Sequence, residues 1–147
     1  MTKTQEELDS VIGQERDYTQ LTYIESIIEE TLRLHPIATM LLPHTALQDC
    51  HVAGYDRPKG TILMVNTWSI GRNTRHWESL GEFIPERFER KDDIDVTGHH
   101  FVLLPFGLGR RKCLGYSPGI PIIRVMLAKI LHGFNWRLLD GINSQDN

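Results

Sequence analysis

Cys113 lies near the end of a run of unusual chemistry, Phe106-Gly107-Leu108-Gly109-Arg110-Arg111-Lys112-Cys113-Leu114-Gly115. The thiolate is the form of cysteine that binds metals or attacks electrophiles, and nearby positive charge and backbone N–H groups favour it. Arg110, Arg111 and Lys112 supply the charge. Gly107, Gly109 and Gly115 let the backbone turn tightly and approach a flat, bulky group without a Cβ in the way. An apolar run, Ile120 to Leu131, follows, so the cysteine is expected shortly before a helix whose positive end would add to thiolate stabilisation. For this loop alone, the alternative is a structural turn around a buried, inert cysteine. A zinc site drawn from Cys50-His51, His99-His100 and Cys113 is disfavoured, because no compact Cys-x-x-Cys or His-x-x-x-His pair supports it.

The elements that must position this loop are legible in part. Thr4 to Ile12 reads as a helix stopped by Gly13, with a polar connector from Gln14 to Gln20. Leu21 to His35 is the best helix, with Ile24, Ile27, Ile28, Thr31 and His35 at helical spacing, and Pro36 ends it. Strand-like pieces follow around Leu42 to Ala46, Cys50 to Val52 and Thr61 to Val65, punctuated by turns at Gly54 and Pro58-Lys59-Gly60. Asn66 is placed to cap a short helix from Thr67 to Arg72. From Asn73 to Pro105 the pattern loses its period, and its aromatic residues Trp77, Phe83, Phe88 and Phe101 indicate that parts of it pack. Ile120 to Leu131 reads as a final helix, Phe134 to Leu138 alternates like a strand, and the tail beyond it, 139–147, is polar and expected to fray.

Glu30 and Arg33 stand three apart on the long predicted helix, opposite the isoleucine stripe. Periodicity alone makes them a solvated ion pair worth a few tenths of a kcal/mol.

The pattern Phe-Gly-x-Gly-x-Arg-x-Cys-x-Gly, filled by Phe106, Gly107, Gly109, Arg111, Cys113 and Gly115, resembles the haem-binding loop of the cytochrome P450 family. Glu30-Thr31-Leu32-Arg33 is similar to that family's Glu-x-x-Arg helix, and Pro85-Glu86-Arg87-Phe88 to its Pro-Glu-Arg-Phe segment. The resemblance runs in order from about Glu6 to Leu138, and details such as Asn66-Thr67-Trp68 look like plant microsomal members that oxidise flavonoids or terpenoids. It implies a mainly α fold with a small β-sheet: the C-terminal part of the family fold, namely helix K, short sheet strands, the meander, the cysteine loop and helix L. It implies one partial haem-thiolate domain over 1–147, with 1–20 the end of a preceding helix and its connector.

By the same resemblance Cys113 is the axial ligand of the iron of haem b, Arg111 and His44 hold its propionates, and Phe106 packs beside the thiolate. Glu30, Arg33 and Arg87 would form a buried brace for the loop rather than a catalytic group. The implied activity is oxygen insertion into a small apolar substrate, with NADPH electrons delivered by a reductase that docks near Arg110 and Lys112. A full-length relative would sit on the cytosolic face of the endoplasmic reticulum. This chain shows no anchor pattern, so a cytoplasmic location stands as the alternative.

Against the family pattern, the N-terminal anchor, the oxygen-side helix and most substrate loops are missing, so a truncated, non-catalytic fragment or interaction protein is an alternative. A haem-thiolate isomerase or dehydratase is another. The final helix also carries Pro118 and Pro121, each costing about 3 kcal/mol in a helix interior. A late start, with Ser117 as cap and Pro118 in the first turn, is the expected compromise.

Composition adds bounds. The chain has 147 residues, 40% hydrophobic and 24% charged, which suits one globular domain. Its net charge of −3 gives no general affinity for nucleic acid, and two cysteines make no disulfide framework.

Overall fold

The computed structural model describes residues 2–12, 21–89, 94–99 and 101–137. The expected connector 14–20 and the tail 139–147 lie outside them. The chain divides into two compact units: 1–28 with 114–147, and 29–113.

The first unit is helical. Helix α1 (Thr2–Ile12) packs against the final helix, α5 (Tyr116–Gly133). Helix α2 (Thr22–Leu34) begins in this unit and crosses the boundary after Ile28. Leu8, Leu21, Ile24, Ile28, Ile120 and Ala128 are buried. The periodic stripe of α2 is therefore Leu21-Ile24-Ile28-Leu32; Ile27 is half-buried, and Thr31 and His35 are exposed. Its N-terminus is capped from a distance: the Glu7 carboxylate accepts from the N–H groups of Tyr23 (2.8 Å) and Ile24 (3.3 Å) and from the Thr22 hydroxyl (3.1 Å). An acidic group at this end also complements the helix dipole. Arg124 of α5 pairs with Glu25 of α2.

α5 corrects one expectation and bears out another. It starts at Tyr116, with Gly115 as N-cap, rather than after Ser117. Pro118 is then the third helical residue, where an N–H has no intrahelical acceptor in any case. Pro121 is inside the helix and forfeits one backbone bond. Among the described residues the predicted final strand does not form: 134–137 is irregular, Phe134 is extended, and Trp136 Nε1 donates to the Ile130 carbonyl at 3.1 Å. Leu138 lies outside the described residues.

Among the described residues, the second unit contains two separate two-stranded antiparallel sheets rather than one. β1 (His44–Thr45) pairs with β4 (Ile62–Leu63), placing His44 opposite Leu63. β2 (Cys50–Val52) and β3 (Tyr55–Arg57) form a hairpin, with Ala53 and Gly54 both at positive φ in the turn. The β3 strand has no sequence signal of its own; it exists because the turn returns the chain onto Cys50–Val52. Asn66 caps α3 (Thr67–Ile70) by accepting from the Ser69 N–H at 2.9 Å.

The aperiodic stretch after α3 is held by packing instead of by repeating backbone bonds. Trp77 is 1% exposed, its indole N–H donates to the Ile70 carbonyl, and its ring meets Phe88 at 5.7 Å between centroids. Phe88 lies on a single-turn helix, α4 (Glu86–Glu89). Val96, Leu103 and Leu104 are buried further along. Arg72 lies over the Trp68 ring and donates to the Leu34 carbonyl; burial, then the charge of Arg33, lowers its pKa.

Candidate functional site: a closed loop presenting Cys113

The loop is built by backbone closure. The Gly107 N–H bonds the Leu104 carbonyl (3.2 Å), the Lys112 N–H bonds Gly109 (3.1 Å), and the Cys113 N–H bonds the Phe106 carbonyl (2.9 Å). Between them runs a 3-10 turn, Gly109–Arg111. Gly107 and Gly109 have φ of +71° and +68°, the left-handed region that a Cβ penalises. The two glycines thus reverse the chain so that residue 113 returns to residue 106. A Cβ on Gly107 would lie 3.7 Å from Leu41, so the segment leading into β1 packs against the loop.

Cys113 is a free, exposed thiol. This removes the reading of a buried, inert cysteine in a structural turn. The charges beside it divide. Arg110 and Arg111 are exposed, whereas Lys112 is half-buried and its Nζ donates to the Thr97 carbonyl at 3.1 Å. Of the two residues expected to form a docking patch, Arg110 therefore faces solvent, and Lys112 is half-buried with one bond into the chain. Phe106 and His44 are half-buried. Among the described residues, the side chains of His44 and Arg111 form no hydrogen bond or ion pair, and none joins them to Cys113. Gly115 serves as the cap of α5.

The brace is the most buried polar feature. Glu30 and Arg33 are both 0% exposed, so the solvated pair expected from periodicity alone is overturned. Arg33 donates from Nε to Glu30 Oε2 (2.7 Å) and from Nη2 to Oε1 (2.9 Å). Arg87 Nε and the Ile84 N–H also reach Oε1, at 3.1 and 2.9 Å. The remaining donors of Arg33 bond the carbonyls of Gly71, Leu80 and Glu82, and Arg87 bonds Ser79. A helical wheel misses this, because it assumes one buried face. Here the irregular segment 71–87 covers the polar face and supplies carbonyls for the guanidinium groups, which is what lets the charges be buried.

The sequence also does not mark Thr97, Gly98 and Leu41 as neighbours of the loop; their contacts arise from chain reversal and have no local signal. The zinc reading finds no support: among the described residues no cluster of three or more His, Cys, Asp or Glu side chains could hold a metal. His100, one of its proposed members, lies outside them. A haem places a different demand, a single axial protein ligand with room for a planar ring. Cys113, exposed on a loop turned by two glycines, has the chemistry of such a ligand.

Comparison with known proteins extends this picture over the whole chain. The chain is 42% identical over 149 residues to a flavonoid 3'-monooxygenase of Petunia hybrida, covering 96% of this chain and 29% of that protein. It is 45% identical over 141 residues to vinorine hydroxylase of Rauvolfia serpentina, covering 92% of the chain and 29% of the relative. It is 44% identical over 153 residues to dimethylnonatriene synthase of Zea mays, covering 99% and 29% respectively. The chain thus spans less than a third of the length of these relatives. The family model for cytochrome P450 matches residues 1–147. With the cysteine loop, the Glu30 brace and a match from end to end in agreement, the chain belongs to the cytochrome P450 family.

Proposed function

We propose that this chain is the proximal, haem-binding part of a plant-type monooxygenase, with Cys113 as the axial ligand. The observation that carries the reading is the presentation of an exposed Cys113 thiol by a loop closed at Phe106. Arg111 and His44 are assigned to the two propionates, because an anion needs a charged or polar donor and both side chains are uncommitted among the described residues. Gly107 and Gly109 would let a flat ring approach the loop without meeting a Cβ there, and Phe106 lies at the closure point. Glu30, Arg33 and Arg87 do not touch the ring in this reading; they hold the segment from which the loop springs. When bound, haem supplies the redox chemistry of dioxygen activation, which a thiolate ligand promotes by donating electron density.

The overall reaction consumes one dioxygen, one NADPH and one proton, inserts one oxygen atom into a C–H bond and releases the other as water. A reductase delivers the two electrons, and it is assigned to dock near Arg110, which is exposed, and Lys112, which is half-buried. The substrate class is a small apolar plant metabolite, in keeping with relatives named as a flavonoid monooxygenase and a hydroxylase. We assign the whole protein to the cytosolic face of the endoplasmic reticulum. Among the described residues no helix is long and apolar enough to cross a membrane.

The test is reconstitution of the purified chain with haem, followed by reduction under carbon monoxide. Thiolate ligation gives a red-shifted Soret band, which Cys113→Ala abolishes. A band at the ordinary position in the parent chain overturns the assignment.

A second reading is an assembly-dependent protein that does not act alone. Large apolar side chains are exposed, including Ile37 (77%), Leu42 (85%) and Leu114 (95%). Such surface is normally covered by more protein. Size-exclusion chromatography separates the cases, since a compact, haem-competent monomer rules this reading out.

A further inference from the structure

The turn at 95–99 makes two independent contacts with the cysteine loop, and neither belongs to the haem-binding pattern. At one end, Gly98 approaches so closely that a Cβ there would sit 2.7 Å from Leu104 Cδ2 and 3.6 Å from the Gly107 carbonyl oxygen. At the other, Lys112 Nζ donates to the Thr97 carbonyl. The turn is itself stiff. Asp95 Oδ1 accepts from the Thr97 N–H at 2.8 Å and from the Thr97 hydroxyl. A carboxylate only accepts, so the hydroxyl proton points to Asp95 and His99 Nδ1, 2.6 Å away, donates to Thr97 Oγ1. Val96 is buried beneath. The Thr97 carbonyl is therefore a fixed point, and Lys112 reaches it from the position immediately before Cys113.

We propose that Lys112 is a positioning residue for Cys113, clamping the loop to the 95–99 turn so that the sulfur is presented in one direction. The assignment rests on the haem-thiolate reading for its purpose, but not for its geometry. Lys112 is held by its backbone N–H on Gly109 and by its side chain on Thr97, and Cys113 follows with its own N–H on Phe106. With three consecutive restraints the Cα–Cβ direction of Cys113 has little freedom. The exposed neighbours Arg110 and Arg111 share the charge of Lys112 without this tether, so charge alone does not distinguish it. A charge-assisted hydrogen bond to a carbonyl is among the stronger kinds.

The experiment uses the full chain and two readouts. Without haem, amide hydrogen exchange is followed at Cys113, with Ile84 as a control because its N–H bonds Glu30 in the brace. Lys112→Met should accelerate exchange at Cys113 about tenfold while leaving Ile84 unchanged, and Lys112→Arg should restore most of the protection. With haem, the fraction of the ferrous carbon monoxide complex showing the red-shifted band should fall in Lys112→Met and recover in Lys112→Arg. Cys113 exchange in Lys112→Met equal to that of the parent overturns the proposal. A parent chain lacking the red-shifted band overturns the haem reading instead, and the exchange measurement still decides the clamp. Should Lys112→Met also expose Ile84, Gly98→Ala, which pushes the same turn off Leu104, decides by the same amides: acceleration at Cys113 alone supports the clamp, and no change there overturns it.

Discussion

Replacing Glu30 by glutamine removes one charge and almost no volume, from a site with no exposure to solvent. Four donors converge on the carboxylate: Nε and Nη2 of Arg33, Nε of Arg87 and the Ile84 N–H. A glutamine can keep its oxygen at the Oε1 position, where three of them point. Its NH2 then faces Arg33 Nε at a place where the present separation is 2.7 Å, donor against donor. Arg33, also fully buried, loses its counter-charge as well. Breaking a buried pair by altering one partner costs about 3–5 kcal/mol, because the surviving charge is left uncompensated. At roughly 2–4 °C per kcal/mol for a chain of this size, the thermal midpoint should fall by roughly 6–20 °C. Trp77 is a built-in reporter, being buried with the Arg33 guanidinium 5.4 Å from its ring centre, whereas Trp68 and Trp136 are about half exposed. Urea titration of Trp77 fluorescence, with the other two tryptophans replaced by phenylalanine, gives the free energy directly. The loss should persist in moderate salt, since buried pairs are poorly screened. A loss below about 1 kcal/mol with unchanged slope is the behaviour of a surface pair, and would refute the claim that this carboxylate braces the segment from 71 to 87.

Three further outcomes follow from local geometry. Gly109→Ala meets no atom within 4 Å, so only its positive φ is penalised; a cost of about 1 kcal/mol is expected by denaturant titration, together with faster alkylation of Cys113 by iodoacetamide. Gly71→Ala would drive a Cβ to 2.8 Å from the Arg33 carbonyl oxygen, a backbone atom that cannot rotate away, and should cost about 1–3 kcal/mol in the same titration. Pro121→Ala changes an exposed position and restores one helical hydrogen bond, so the helical circular dichroism of α5 should melt later, with a gain of up to about 3 kcal/mol.

The exposed apolar residues of α5 bear on the choice between the two readings of function. Ile122, Ile123, Met126 and Ile130 are each at least 40% exposed, so this helix presents an apolar face as well as a buried one. Its stability in isolation therefore depends on few contacts, and restoring the bond lost at Pro121 should be felt more strongly than in a fully packed helix.

What the sequence determined by itself was chemistry at short range. The glycines at 107 and 109, the cap at Asn66 and the stop at Pro36 act within a few residues, through φ preference or a single hydrogen bond, and each does in the folded chain what its type requires. The ten-residue pattern around Cys113 belongs to the same class, which is why the family could be named from it. Tertiary structure alone decided the burial of Glu30 and Arg33, because whether a polar helix face meets water depends on a segment fifty residues away supplying carbonyls and a second arginine. It likewise decided that Glu7 caps α2 from across a connector, and that Lys112 binds Thr97 while the arginines beside it face solvent. In each of these the partner is distant along the chain, and a side chain's own type carries no information about which distant group folding will bring within 3 Å.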